Sequence, residues 1–244
     1  MEKEREEQVI SLCQKLIQQK SYSGEESGVV GVLSENMKQM GFDEVTVDKY
    51  GNIIGCIKGN RPGKKVLFDG HIDTVPVTEE AEWLYPPFAA EIHDGKIYGR
   101  GTSDMKGAVA AMTCAASNYA KDTGKDFAGE IYVAGGVHEE CFEGVAAREI
   151  SKSVRPDYVV IGEASQLNLK IGQRGRAEIV IETFGKPCHS ANPEKGINAV
   201  YKMAKVIGAI RTLVPTHHPV LGDGILELTD IKSAPYPGAS VVPE

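Results

Sequence analysis

The sequence predicts an α/β fold: a mixed sheet, parallel in its centre and flanked by helices, with part of a smaller α+β unit behind it. Three observations predict it. Apolar strand-like runs alternate with helical segments over the first 175 or so residues. Acidic and imidazole groups stand just beyond the carboxyl ends of several of those runs, where open α/β sheets place their ligand crevice. After about residue 175 the pattern changes to an alternating strand, one helix and a second strand-like run.

Taken in order, Val9, Ile10, Leu12, Cys13, Leu16 and Ile17 recur at helical spacing behind a Glu-rich, solvated first turn. Ser23 and Glu26 have the spacing of a capping box, and the helix they would open carries Val29, Val30, Leu33, Met37 and Met40 before Gly41. VTVDKYGNIIGCIKG reads as two strands about a turn and KKVLFDGH as a more buried strand. AEIHDGKIYGRG reads as a hairpin on Asp94-Gly95, a pair that tolerates the positive φ of a tight turn. A small-residue helix, MKGAVAAMTCAASNYA, follows, then the strand EIYVAGGV, the helix EGVAAREISK and the strand DYVVIGE. Beyond these lie the alternating strand GRAEIVIETFGKP, a helix from about Asn198 to Arg211 and the strand GILELTDIKS. The closing APYPGASVVPE reads as neither a helix end nor a polar tail, so the chain is expected to stop inside a domain.

Composition narrows the function classes. At 244 residues the chain has room for one large domain or two smaller ones. A net charge of -7 and the lack of any Lys/Arg run argue against nucleic acid as a partner. No basic-then-apolar leader opens the chain and no window approaches the roughly 20 apolar residues of a membrane span, so a soluble cytoplasmic protein is expected. Cys13, Cys56, Cys114, Cys141 and Cys188 are scattered and form no Cys-x-x-Cys pair, which favours reduced thiols over disulfides or a thiolate zinc site.

The chemistry-bearing groups are His71 and Asp73 after KKVLFDG, Asp104 after GRGTS, Glu139 and Glu140 after IYVAGGVH, and Glu163 after YVVIG. Five carboxylates gathered in one crevice would raise one another's pKa and resist ionising, whereas divalent cations reverse that balance and are held well by imidazole with carboxylate. The set therefore suggests two metal ions sharing a bridging ligand and a water.

GHIDTVP, GRGTSDMKG, GGVHEE, IGE and GKPCHSANPEKGINAV, in this order, resemble the family of acetylornithine deacetylases, succinyl-diaminopimelate desuccinylases, glutamate carboxypeptidases and aminoacylases. The resemblance covers nearly the whole chain and implies a zinc-peptidase-like sheet. It also implies that residues 1–175 form a catalytic metal-binding domain and 176–244 part of a lid or dimerisation domain. By the same resemblance His71 and Glu163 would bind one zinc, Asp104 would bridge two, Glu140 would bind the second, and Asp73 would orient His71. Cobalt is the alternative metal. Glu139 would be the general base, and His189 would steady the oxyanion of a partner subunit's site in a homodimer. The implied substrate is a small N-acyl amino acid or peptide. The family also carries a further histidine ligand near its C-terminus, but no histidine follows His218 here, so the chain resembles the N-terminal part of a longer enzyme.

Other readings are weaker. In GRGTSD the third glycine position of a dinucleotide loop is Asp104, whose charge would repel a pyrophosphate. In HEECF, Phe142 stands where His-Glu-x-x-His needs its second histidine, which leaves His138 a neighbour rather than a ligand. His93, His217 and His218 read as solvated loop residues, and Cys141 and Cys188 receive no role. The alternative from another class is a non-catalytic fragment that serves only in binding or dimerisation.

Overall fold

The computed structural model describes residues 2–142 and 144–233. The closing stretch APYPGASVVPE, residues 234–244, lies outside the described residues. The chain divides into two compact units, Met1–Leu167 and Asn168–Glu244.

In the first unit α1 (Glu2–Gln18) and α2 (Ser27–Gln39) precede β1 (Glu44–Val47), β2 (Ile53–Lys58) and β3 (Arg61–His71). The hairpin β4 (Glu91–His93) and β5 (Lys96–Tyr98) follows, then α3 (Gly107–Thr123), β6 (Ala128–Gly136), α4 (Val145–Val154) and β7 (Tyr158–Ile161). Five strands form one mixed sheet in the order β1-β2-β6-β3-β7. β1 and β2 run antiparallel to their neighbours, while β6, β3 and β7 are mutually parallel, so the sheet is parallel where its carboxyl ends matter.

The two-residue period of the strands sorts side chains to opposite faces. Ile53, Ile57 and Val133 pack with Leu12, Leu16, Ile17, Leu33 and Val109 from α1, α2 and α3. Ile54, Leu67 and Ala134 point the other way and pack with Ile150 and Val154 of α4. Each buried Leu or Ile contributes about 1.5–3 kcal/mol relative to an exposed one, and these two clusters hold the sheet between helical layers. Gly70 permits one close approach that matters for the site. A Cβ there would lie 2.5 Å from Met105 Cε, so glycine one residue before His71 lets the Asp104 segment pack down onto β3.

The β4–β5 turn places both Asp94 (φ 49°) and Gly95 (φ 72°) in the left-handed region, the backbone that the Asp-Gly pair predicts. Three expectations require correction. Ser23 does not cap α2: Glu26 stands at the N-cap, and Ser23 Oγ instead donates to Asp73 Oδ2 at 2.6 Å. His93 is not a solvated loop residue, because it ends β4 and stacks on Tyr85 with ring centroids 3.7 Å apart. The strands expected in GRAEIVIETFGKP and GILELTDIKS are not formed among the described residues, where both stretches run without regular structure. Their alternation supplies a strand pattern, but a ladder also needs a partner with matching hydrogen bonds.

The second unit contains α5 (Ala199–Ile210) and a short hairpin of β8 (His217–His218) with β9 (Gly222–Asp223), so His217 and His218 are exposed as expected but stand in a strand rather than a loop. The Asn198 side chain caps α5 by accepting from the Tyr201 backbone N–H at 3.2 Å.

Candidate metal centre

Parallel pairing brings three strand ends to one edge. His71 is level with Gly136 and Asp69 with Ile161, so Glu163, two residues past Ile161, continues alongside His71. Glu139 and Glu140 follow the end of β6, and Asp104 lies in the segment that leads into α3. Of the residues the sequence singles out, His71, Asp73, Asp104, Glu139, Glu140 and Glu163 thus all belong to the first unit. His189 belongs to the second, is exposed, and accepts the Ala191 backbone N–H on Nδ1 at 3.1 Å.

His71 and Asp73 are buried, whereas Asp104 and Glu163 are exposed, so the cluster has a closed floor and an open rim. His71 Nδ1 lies 3.0 Å from the Asp73 main-chain oxygen and 3.5 Å from its Oδ1. An N–H on Nδ1 donating to the main chain leaves Nε2 to face the rim. Nε2 is 2.8 Å from Asp104 Oδ1, 3.6 Å from Glu163 Oε1 and 4.0 Å from Glu139 Oε2. His71, Asp104 and Glu140 each offer a donor atom, and all of these lie within 4.8 Å of one another.

Electrostatics point the same way. Burial alone would lower the His71 pKa, but hydrogen bonds donated to Asp73 and Asp104 and the charges of Glu163 and Asp73 lift it to about 10. Burial raises Glu140 and Glu163, and the charge of Asp104 pushes both further. Asp69, behind His71, is raised to about 6 by burial, opposed by the Gly70 amide, with the Glu163 charge adding to the rise. Carboxylates in excess of one imidazolium are a site short of positive charge. A divalent cation would supply it, and an imidazole with several carboxylate oxygens is a donor set that could hold one.

Asp73 organises the centre from beneath. It is held below the usual carboxylate range: burial opposes this, while contacts from His71, the Ser23 hydroxyl and the Glu139 and Glu140 amides outweigh it. Its Oδ1 accepts from Glu139 N–H at 3.0 Å and its Oδ2 from Glu140 N–H at 3.1 Å. Glu26 does a similar job one residue earlier, accepting from Gly24 N–H at 2.9 Å and His138 N–H at 3.0 Å. Lys106 is fully buried, and its Nζ donates to the main-chain oxygens of Leu16 at 3.1 Å and Gln19 at 2.8 Å. Sequence reasoning missed Ser23, Glu26 and Lys106. For Lys106 a signal was present, a cation two residues from Asp104 in an otherwise small-residue stretch.

Comparison with known proteins fits this geometry. The family described as Peptidase family M20/M25/M40 matches residues 67–224. A protein of Escherichia coli (strain K12), described as uncharacterized protein YgeY, is 37% identical over 215 residues, covering 86% of this chain and 53% of that protein. Succinyl-diaminopimelate desuccinylase 2 of Ruegeria sp. (strain TM1040) is 32% identical over 201 residues, covering 78% of this chain and 50% of the relative. The chain thus spans about half the length of the curated relatives it matches. Among solved structures, an M20 family metallo-carboxypeptidase of Sulfolobus solfataricus aligns with a TM-score of 0.64 at 21% identity, over 83% of this chain and 49% of that one. That likeness concerns the fold.

Proposed function

This chain belongs to the peptidase family M20/M25/M40, and from that premise we propose that it carries the metal-binding part of a hydrolase acting on an amide bond of an N-acyl amino acid or small peptide. The observation that carries the reading is the convergence of His71, Asp104 and Glu140 donor atoms within 4.8 Å, in a crevice short of positive charge. His71 and Glu163 would hold one ion, Glu140 the other, and Asp104 would lie between them; zinc is the proposed metal and cobalt its alternative. Bound there, the ions would polarise a carbonyl and bring the acidity of water toward neutral pH.

The chain's own residues supply the rest. Glu139, 4.0 Å from His71 Nε2, would be the general base that takes a proton from water and returns it to the leaving amine. Asp73 holds the Glu139 and Glu140 backbone in register with His71. In the same reading residues 1–175 are the catalytic part, residues 176–244 belong to a lid or dimerisation domain, and His189 steadies a partner's oxyanion in a homodimer. No helix among the described residues is long and apolar enough to cross a membrane, and all five cysteines are free, which supports a cytoplasmic site of action.

Metal analysis together with an amidase assay on a chain extended to the length of its relatives tests the reading. Bound divalent metal with activity lost in Glu139→Gln is the expected result; no bound metal, or intact activity in that variant, would overturn it. The span of about half the relatives' length also favours a second reading, a binding or dimerisation module without turnover of its own. Equal turnover by this chain and the extended one would refute that alternative.

A further inference from the structure

The short connection between α1 and α2 meets the His71, Asp104 and Glu140 segments in turn. The Gln19 main-chain oxygen accepts from Lys106 Nζ at 2.8 Å, just past Asp104. Ser21 Oγ donates to the Ile72 main-chain oxygen at 2.7 Å, and the Ser21 main-chain oxygen accepts from Thr74 N–H at 2.9 Å. Ser23 reaches Asp73, and Glu26 reaches the turn that leads to Glu139 and Glu140.

Glu26 is the unexpected member. It stands at the N-cap of α2, where a carboxylate could serve the first amides of its own helix, yet its side chain makes no capping bond there. It is only 6% exposed, and a carboxylate taken out of water needs hydrogen bonds. Its Oε1 finds them in Gly24 N–H at 2.9 Å and in His138 N–H at 3.0 Å, 112 residues along the chain. His138 has a φ of 57°, a left-handed backbone uncommon for a residue other than glycine. The amides of His138, Glu139 and Glu140 then all donate to carboxylates, the first to Glu26 and the next two to Asp73. Successive N–H groups turned to one side of a bend make a concavity that holds anions, and here the chain itself supplies them. The side chains of the same turn reach the cluster: Glu139 Oε2 lies 4.0 Å from His71 Nε2, and a Glu140 oxygen lies within 4.8 Å of the His71 and Asp104 donors.

We propose that Glu26 is a positioning residue of the metal centre, which together with Asp73 fixes the direction in which the 138–140 turn presents Glu139 and Glu140. Asp73 alone would leave the turn able to pivot about the end of β3. Glu26, seated on α2, supplies a second point of attachment from a separate element. The role rests on the metal-binding reading for its consequence, whereas the hold on the turn exists without metal.

The test compares the parent chain with Glu26→Ala, which removes the acceptor, and with Glu26→Gln, which keeps an acceptor oxygen at the same reach. Val154→Ala is the control, because Val154 packs with Leu67 and accepts from Lys65 Nζ, well before His71 on β3, so its truncation lowers stability away from the turn. In metal-free protein, amide exchange of the peptide spanning 138–140, read by mass spectrometry, should be about tenfold faster in Glu26→Ala and close to parental in Glu26→Gln. Cobalt(II) titration followed by visible absorption should give a dissociation constant about 10–100-fold higher in Glu26→Ala, with Glu26→Gln and Val154→Ala near the parent. Urea unfolding checks that each variant is folded, and Glu26→Asp, one methylene short, takes the place of Glu26→Ala if that variant does not fold. Unchanged exchange or unchanged cobalt affinity in the folded variant would overturn the role, as would an equal loss of affinity in Val154→Ala. A parent that binds no cobalt would sink the metal-binding reading instead, and the exchange measurement would still decide whether Glu26 holds the turn.

Discussion

Asp73 Oδ1 accepts the backbone N–H of Glu139 at 3.0 Å, which ties the strand end carrying His71 to the loop carrying both glutamates. The same carboxylate takes Glu140 N–H and the Ser23 hydroxyl on Oδ2. Asp73→Asn keeps the shape but turns one acceptor oxygen into a donor that faces other donors. Metal affinity should fall by about 10–100-fold, the usual cost of losing a group that orients ligands. Competition with a chromophoric chelator measures it, and unchanged affinity would show that Asp73 has no orienting role.

Ser23→Ala should cost about 1–2 kcal/mol, the loss of a hydrogen bond to a buried charged acceptor, read as a lower urea midpoint. The pH dependence has a definite sign. Asp73 is depressed in the folded protein, so its contribution is present above its ordinary value of 3.8 and is lost as the pH falls through the lower folded value. Ser23 is one cause of that depression, so the gap between variant and parent should be full at neutral pH and shrink on acidification.

Glu139 and Glu140 are adjacent but should fail differently. Glu140→Gln removes charge next to His71 and Asp104 and should weaken metal binding, with partial rescue by added zinc. Glu139→Gln should keep the metal and, in a chain of full family length, lose about 10²–10⁴-fold in turnover without rescue. Zinc rescue of Glu139→Gln would mean the two roles are reversed.

Metal binding at His71 is expected to release a proton. Against the effect of burial, Asp73, Asp104 and Glu163 lift its pKa to about 10, which favours the protonated imidazole at pH 7.5, and a cation bound at Nε2 would displace that proton. Calorimetry in buffers of different ionisation enthalpy should find at least one proton released per chain. The stability that His71 gives the metal-free protein is full below its ordinary value of 6.5 and is lost as the pH rises through about 10. Zero proton release at pH 7.5 would show that His71 is already neutral before metal arrives.

Much of the first unit was legible because its signals are local. Asp94-Gly95 announces its turn by a backbone preference of the two residues themselves, and the strand ends announce the crevice by where the apolar runs stop. Ser23 shows the limit. Its spacing to Glu26 is a sound local pattern, yet the hydroxyl is taken by Asp73, 50 residues away, and nothing near Ser23 encodes that partner. The insertion of β6 between β2 and β3 is equally a matter of long-range pairing. The alternation in residues 176–185 failed for the complementary reason, since it describes one strand's side chains and says nothing of a neighbour's hydrogen bonds.

The burial of Lys106 couples two parts of the fold. Its ammonium binds the Leu16 carbonyl of α1 and the Gln19 carbonyl just past its end, from 90 and 87 residues further along the chain. This partner at the end of α1 is supplied only by the segment after Asp104. Contacts this distant in sequence form slowly, because loop closure precedes any reward. The segment that carries the aspartate of the cluster thus also closes the carboxyl end of α1, so a change that loosens one is expected to loosen the other.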